Sequence, residues 1–292
     1  MLACLMRLRL AALISVLAAL AFAPAGAQAA NVIRTTSVTK SAVVPPGGTS
    51  TRRLECPAPW IALSGAVTSK GTGVTRASSS PGNGAGDWRF RFAADSSARR
   101  TVRTVLRCVR LEVPAGISGA RVNVQTRRRL NIQVPVGGTT SVAVRCGSRS
   151  WVATGYGFSD RAGTVRLASV VPAAHGWRFV LENVGASGAL ADVSARCLKQ
   201  TVTAGSAELR FRVTRPAQEN TVGPNRLRFS HRCGANRFSL ATGSILDPDG
   251  TIELADSGPT RLSSGRWTLR QASGGERVRT VLVCLARGTG FN

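Results

Sequence analysis

The chain has 292 residues, 43% of them hydrophobic and 18% charged, so it can bury a core and is not wholly disordered. It has 39 Lys and Arg against 14 Asp and Glu, which gives a formal net charge of +25. Val, Thr, Ser, Gly and Arg are abundant while Lys, Glu and Gln are scarce, a composition that favours an all-β chain with many turns. Composition excludes a wholly disordered chain but identifies no activity.

Residues 1–29 have the pattern of a secretory signal peptide. Two arginines precede a run of thirteen apolar residues from Leu10 to Phe22, and Ala27-Gln28-Ala29 fits the small-x-small cleavage rule. Thirteen residues at ~1.5 Å each are too few to cross ~30 Å of hydrocarbon, which argues against a membrane anchor. We expect cleavage after Ala29 and a mature chain, residues 30–292, that is secreted or associated with the cell surface and has no transmembrane segment.

Six cysteines follow the predicted signal peptide. In an oxidising compartment an even number of cysteines indicates disulfides. Their sequence spacings are 52, 38, 51, 36 and 51, so long and short gaps alternate. This alternation suggests three units with two cysteines each. The cysteines are Cys56, Cys108, Cys146, Cys197, Cys233 and Cys284.

Further landmarks recur in one order in each unit. A turn begins twelve residues before the first cysteine, an aromatic residue and a small-residue turn follow that cysteine, and a Trp-led strand precedes the second cysteine. The small-residue turns are centred on Ser64-Gly65, Thr154-Gly155 and Thr242-Gly243, and the strands begin at Trp88, Trp177 and Trp267. We therefore predict three repeats of about ninety residues, the size of a small domain.

The repeats give the predicted domain boundaries 30–118, 119–204 and 205–292. The linkers at 114–119 and 203–206 contain glycine, so we expect limited contact between the domains. Apolar and polar residues alternate in the strands, as in residues 88–92, and Pro-Gly-Gly segments indicate hairpin turns. We predict six to eight strands per domain, packed as a two-sheet β-sandwich.

One disulfide is predicted to staple each domain. The first cysteine of a unit lies near the end of an early strand and the second lies in the last strand. A bond that closes a loop of about fifty residues contributes roughly 4 kcal/mol on the chain-entropy model. The predicted pairs are Cys56–Cys108, Cys146–Cys197 and Cys233–Cys284.

The order of Cys, Trp and Cys resembles that of immunoglobulin domains. Here Trp follows the first cysteine by 32, 31 or 34 residues and lies nearer the second, so this resemblance extends only to a sandwich with one disulfide. The units are more similar to tandem repeats of secreted actinobacterial proteins. The residues that carry this resemblance are Cys146, Thr154-Gly155, Trp177 and Ala195-Arg196-Cys197, with their counterparts. It covers almost the whole mature chain and implies a secreted β-domain without a catalytic site.

The sequence offers no convincing metal or cofactor site. His231 occupies the position that Leu54 and Val144 have in the other units, so we predict a hydrogen-bonded core histidine. His175 is expected in a loop. Two histidines far apart in the sequence do not form the cluster of ligands that a zinc site requires. Asp247-Pro248-Asp249-Gly250 lacks the ligands and the span of a calcium loop, which leaves a polar turn.

Enzymatic motifs are also lacking. The sequence contains no Gly-x-Ser-x-Gly elbow, dinucleotide fingerprint or P-loop. A pair of catalytic carboxylates among the few acidic residues is the one hydrolase arrangement left open. We expect a protein that is not an enzyme.

The positive charge is spread over the whole mature chain. Loss of Arg7 and Arg9 leaves 37 basic and 14 acidic residues, hence +23, divided as +9, +8 and +6 among the three domains. The preference for Arg over Lys has two explanations, a GC-rich genome or bidentate recognition of phosphate, sulfate or carboxylate. Whatever its origin, such a field attracts anionic polymers. The densest clusters are Arg127-Arg128-Arg129, Arg52-Arg53 and Arg99-Arg100.

These features favour an exported binding or structural protein that associates with anionic envelope or matrix polymers through Arg-rich faces. Nucleic acid is expected to bind only non-specifically, because no nucleic-acid motif is present and the aromatics alternate into the predicted cores. For Arg127-Arg128-Arg129 the simpler interpretation is a solvated loop. The alternatives for the whole chain are a lectin-like module that recognises glycan by its loops and, less favoured, a secreted hydrolase.

Overall fold

A computed structural model of the chain describes ten segments. These are residues 33–70, 74–94, 98–113, 118–160, 162–173, 175–222, 227–245, 252–261, 263–271 and 276–286. The predicted signal peptide and the Asp247–Gly250 turn lie outside them. All the regular elements in these segments are β-strands, which confirms the all-β prediction. Among the described residues there is no helix with the length and apolarity needed to span a membrane.

Six strands form between residues 33 and 111. They are β1 (Ile33–Val44), β2 (Thr49–Glu55), β3 (Ile61–Lys70), β4 (Val74–Pro81), β5 (Asp87–Ala94) and β6 (Arg100–Leu111).

Seven strands follow between residues 124 and 204. They are β7 (Val124–Val134), β8 (Thr139–Arg145), β9 (Trp151–Asp160), β10 (Val165–Ala173), β11 (Gly176–Asn183), β12 (Ala189–Lys199) and β13 (Thr201–Ala204).

Eight strands complete the described part of the chain. They are β14 (Ala207–Arg210), β15 (Val213–Thr214), β16 (Ala217–Val222), β17 (Leu227–Arg232), β18 (Arg237–Ile245), β19 (Ile252–Arg261), β20 (Ser264–Gln271) and β21 (Glu276–Ala286).

Three large antiparallel sheets contain nearly all of these strands. Sheet I has the order β1-β6-β3-β19-β20-β17, and sheet II has the order β2-β5-β4-β9-β12-β7. Sheet III has the order β15-β21-β18-β10-β11-β8, with β16 also paired to β21, while β13 and β14 form a separate hairpin. Each large sheet therefore combines strands from two of the predicted domains.

Strand pairing crosses the predicted domain boundaries. Ser79 of β4 pairs with Phe158 of β9, β3 pairs with β19, and β10 pairs with β18. Limited contact between the domains, as expected from the linkers, is therefore wrong. The physical reason is that β3, β9 and β18 would otherwise be edge strands with unpaired backbone groups, which these pairings satisfy. The predicted linker at 203–206 is the tip of the β13–β14 hairpin.

The predicted small-residue turns are wrong as well, because Gly65, Gly155 and Gly243 lie inside β3, β9 and β18. Small residues there allow a close approach of strands. A Cβ atom on Gly155 would lie 2.5 Å from the carbonyl oxygen of Leu63. The Thr154 hydroxyl donates to that same carbonyl at 3.1 Å, and Leu63 and Thr154 both stand at register shifts of their strands.

The two Gly-Gly segments, Pro46-Gly47-Gly48 and Val136-Gly137-Gly138, form turns, but the turns do not close hairpins. Gly47 and Gly137 have φ of +59° and +58°, a left-handed conformation that suits glycine. The N–H of Gly48 donates to the carbonyl of Pro45 at 3.1 Å. The first turn leads from β1 in sheet I to β2 in sheet II, and the second leads from β7 in sheet II to β8 in sheet III. Each turn thus carries the chain from one sheet to another.

The structure contains the three predicted disulfides, Cys56–Cys108, Cys146–Cys197 and Cys233–Cys284. The first cysteine of each pair follows directly after a strand of one sheet, and the second lies in a strand of another sheet. The bonds join sheet II to sheet I, sheet III to sheet II, and sheet I to sheet III. The three sheets are therefore linked covalently in a closed cycle.

The alternating pattern of β5 correctly predicted which side chains are buried. Trp88, Phe90 and Phe92 are at most 1% exposed, while Arg89 and Arg91 are exposed. Trp177 and Trp267, which lead the equivalent strands, are also fully buried. In β5 one face thus packs inward and the other faces solvent, whereas β6 and β12 are buried on both faces over much of their length.

Candidate anion-binding site

Two of the three predicted arginine clusters lie in sheet II. Arg52 and Arg53 are in β2 and residues 127–129 are in β7, the two edge strands of this sheet. Five strand spacings of ~4.8 Å separate these edges by about 24 Å. Arg99 and Arg100 instead stand at the start of β6 in sheet I.

The triplet in β7 is part of a strand, so its interpretation as a loop is wrong. Strand alternation divides the three arginines between two faces. Arg128 pairs with Ser194, whereas Arg127 and Arg129 pair with Ala195 and Val193, which point into the core. All three side chains are exposed, but Arg128 alone of the three is on the outer face of sheet II.

Arg128 ends a polar row that crosses all six strands of sheet II. Arg53 pairs with Arg89, Arg89 with Ser80, and Ser194 with both Gly157 and Arg128. Because Ser79 pairs with Phe158 in an antiparallel register, Ser80 lies opposite Gly157. The row is Arg53, Arg89, Ser80, Gly157, Ser194 and Arg128.

The same register position in the other two sheets is much less basic. In sheet III the row is Ala143, Arg178, Val171, Gly243, Val281 and Ala217. In sheet I it is Ser230, Arg266, Gly258, Ala66, Val105 and Thr39. Sheet II has three arginines and two serines where each of the others has one arginine. This outer face is therefore distinguished by its side chains and not by its backbone.

A recess of about 200 Å³ opens in the middle of the row, where Gly157 has no side chain. A Cβ atom on Gly157 would lie 2.5 Å from the Ser194 hydroxyl oxygen. Ser194 is 5% exposed, and its hydroxyl has no hydrogen-bond partner among the described residues. Arg89 and Arg128 stand in the wall of this recess. A bound anion would meet two guanidinium groups and an unpaired hydroxyl.

A second, larger recess of about 530 Å³ adjoins the first. It lies between the loop Gly82–Ala85 and strand β7, and Arg127, Arg128 and Arg196 contribute to its wall. The two recesses share Gly82, Asn83 and Arg128. No carboxylate lies among the described residues that line the larger one.

Arg196 supplies a buried positive charge beneath the loop. It is 3% exposed, its guanidinium lies 5.7 Å from the Trp88 ring centre, and its Nη2 donates to the carbonyls of Gly84 and Asp87 at 3.3 Å each. Burial lowers the pKa of Arg196 to about 10; the Asp87 carboxylate opposes this and the neighbouring Arg128 adds to it. Arg196 therefore stays charged at neutral pH.

Asp87 holds the loop in place and neutralises Arg53. Its carboxylate accepts the Gly84 N–H at 2.8 Å and pairs with Arg53 at 3.0 Å, while Arg53 also pairs with Glu55 at 2.9 Å. Arg89, by contrast, has no carboxylate partner among the residues that the structure describes. Arg128 has no carboxylate partner there either, and its Nη2 donates to the carbonyl of Pro81 at 3.1 Å, so Arg89 and Arg128 are the two exposed cations of the row that no described carboxylate neutralises.

The histidines behave as the sequence indicates. His231 is 8% exposed, lies 2.8 Å from the Thr280 hydroxyl and packs against Trp267, which confirms the core prediction. Burial lowers the pKa of His231. His175 lies in a turn, with Nδ1 at 3.2 Å from the carbonyl of Trp151. In the described part of the chain no three His, Cys, Asp or Glu residues form a group that could hold a metal ion.

Sequence reasoning missed the centre of the site. Alternation had already assigned Arg89 to a solvent-facing side, but nothing local links it to Arg128. One signal for Ser194 exists. From here on, the three predicted domains 30–118, 119–204 and 205–292 are called the three segments of the chain. The residue three positions before the second cysteine is valine in the first and third segments, Val105 and Val281, and serine only in the second.

No protein-family model matches the sequence, and a search of curated proteins found no match.

Proposed function

We propose that the mature chain is an exported, non-enzymatic protein that binds anionic envelope or matrix polymers on the outer face of sheet II. The observation that carries this proposal is the pair of adjoining recesses with Arg128 in their shared wall, flanked by Arg89 and Arg196. Guanidinium groups donate paired, charge-assisted hydrogen bonds to carboxylate, phosphate and sulfate groups. An extended polyanion could follow the row over several of its charged groups.

The positive field of the whole chain supports this role. A mature charge of +23 draws polyanions to the surface from a distance at low salt. The field is unspecific, and it is the polar row of sheet II that would hold the polymer. Screening should therefore weaken capture, since the Debye length falls from about 10 Å at 0.1 M salt to about 3 Å at 1 M.

The architecture supports export and triplication. Three disulfides suit an oxidising compartment and agree with the predicted signal peptide. The pairing orders β1-β6-β3, β7-β12-β9 and β16-β21-β18 are the same in the three segments. We interpret the segments as tandem repeats, each a small sandwich of two half-sheets whose edges are completed by its neighbours.

The test is retention of residues 30–292 on isolated cell envelopes over a salt series. Wild-type protein should be retained at low salt and released by about 0.5 M salt. The variant Arg89→Gln with Arg128→Gln should lose most of its retention, because both exposed cations of the row are gone.

The matched control is Arg178→Gln with Arg228→Gln, which removes the same charge from exposed positions of sheets III and I. This control should be retained almost as well as wild type. Equal loss in the two variants would show that net charge acts without a site. Retention that salt does not change would instead favour a lectin-like module that recognises neutral glycan.

A further inference from the structure

The smaller recess, at Gly157, is lined by more than cations. Alongside Arg89 and Arg128 its wall contains Ser80, Ser159 and the carboxylate of Asp192. Asp192 accepts the backbone N–H of Asn131 at 2.8 Å, which fixes one of its oxygens at the edge of the recess. A carboxylate in the wall would weaken the binding of a polymer recognised only by its phosphate or sulfate groups, because it repels them.

The lining also includes apolar residues. Leu130 is 58% exposed, whereas Phe158 is half-buried and packs against the core. The recess thus combines cations, hydroxyl groups, one carboxylate and an apolar edge within about 200 Å³. That volume is below the ~300–1,000 Å³ of pockets for drug-sized ligands, and it suits one small ring.

The hydroxyl of Ser194 is the strongest indication of a ligand. It is 5% exposed, lies in the lining of the recess against Gly157, and lacks a hydrogen-bond partner among the described residues. Folding does not require it, because Val105 and Val281 occupy the corresponding positions at similar exposure. A buried hydroxyl without a partner is costly unless something binds it.

We propose that this recess binds one uronate residue of an acidic polysaccharide, which names the polymer class and rests on the proposed function. Arg89 and Arg128 hold the sugar carboxylate, and Ser80 and Ser194 bond to its ring hydroxyls. Asp192 accepts a hydrogen bond from a further sugar hydroxyl, a contact that offsets its repulsion of the ligand's charge and that an inorganic anion without a sugar ring does not make. Leu130 faces the apolar side of the ring.

The experiment is an NMR titration of ¹⁵N-labelled residues 30–292 with D-glucuronate at constant ionic strength. Glucose, acetate and inorganic phosphate are titrated in parallel. The amide signals of Gly157, Ser194 and Arg89 should shift with glucuronate at concentrations at least about tenfold lower than with the other three probes. Equal response to acetate and glucuronate, a preference for phosphate or glucose, or no shift at these amides would overturn the proposal.

Ser194→Val provides the matched variant, because it installs the residue that the other two segments contain. It should fold normally by circular dichroism and bind glucuronate about fivefold to tenfold more weakly. Unchanged glucuronate affinity in Ser194→Val would contradict the assigned contact.

The envelope experiment separates this proposal from the one on which it rests. Salt-sensitive retention that needs Arg89 and Arg128, without glucuronate binding, would leave the proposed function and remove the uronate site. Glucuronate binding without envelope retention would leave the uronate site and remove the proposed function.

Discussion

Gly65 lies directly beneath the ring of Trp88, and this contact leaves no room for a side chain. A Cβ atom on Gly65 would lie 2.5–2.7 Å from three atoms of the indole. Gly65→Ala would force the buried ring away from its position, and overpacking of this kind costs about 1–3 kcal/mol. We expect the free energy of unfolding, measured with urea, to fall by that amount.

Gly188→Ala is the control for this prediction. Gly188 has no atom within 4 Å of a built Cβ and an ordinary φ. Its substitution should change stability by less than about 0.5 kcal/mol. Equal effects of the two substitutions would show that Gly65 is not required by Trp88.

His231 makes stability depend on pH. Because burial lowers its pKa in the folded chain, the unfolded chain binds the proton more readily as pH falls below the ordinary value of ~6.5. The contribution of neutral His231 is therefore complete above that pH and is lost as pH falls towards the folded pKa. His231→Leu introduces the residue type that the first repeat has at the corresponding position, Leu54. This variant should flatten the dependence of stability on pH in this range.

Urea unfolding at pH 7.5 and pH 5 measures the effect in wild type and His231→Leu. The carboxylates titrate in both proteins, so the difference between the two profiles isolates His231. In the variant, Thr280 keeps its hydrogen bonds to Asn220 and Gln218. An identical fall in stability in both proteins would show that His231 does not contribute to the pH dependence.

At the scale of elements, β3, β9 and β18 approach one another through small residues and hydroxyl groups. The Thr154 hydroxyl is fully buried and lies 3.1 Å from the carbonyl of Leu63 in β3 and 3.2 Å from that of Arg196 in β12. Ser64 donates in turn to the carbonyl of Leu240 in β18. These contacts tie together strands from all three segments.

Thr154→Val keeps the shape of the side chain and removes the donor. The carbonyl of Leu63 loses its hydroxyl partner in a buried place, which costs about 1–2 kcal/mol. Thr139→Val, on the exposed side of β8, should change stability by less than about 0.5 kcal/mol. Denaturant unfolding of both variants checks the prediction, and a neutral Thr154→Val would mean that the hydroxyl does not hold the strands together.

Individual strands could be predicted from the sequence, but their partners across segments could not. The two faces of β5 follow from local alternation at Trp88 and Arg89, and the disulfides follow from cysteine spacing. Nothing in Ser79 or Phe158 indicates that they pair, because the energy of that pairing comes from backbone groups that every residue has. The site shares this limit, since Arg89 and Arg128 come together only through the pairing of β4 with β9.

At the scale of the whole molecule, the three segments form one body. Each large sheet belongs to two segments, and each disulfide joins two sheets. A core that is shared in this way should unfold in one cooperative step, unlike independent domains. The candidate site depends on this continuity, because its loop comes from the first segment and strand β7 from the second.

Scanning calorimetry of residues 30–292 with and without polygalacturonate tests this account most directly. We predict one transition, whose midpoint rises with the polymer because the polymer binds the folded state more tightly than the unfolded chain. The rise should be largely absent in Arg89→Gln with Arg128→Gln and preserved in Arg178→Gln with Arg228→Gln. Separate transitions for the segments, or an equal rise in both variants, would contradict the claim that one continuous body builds the binding face of sheet II.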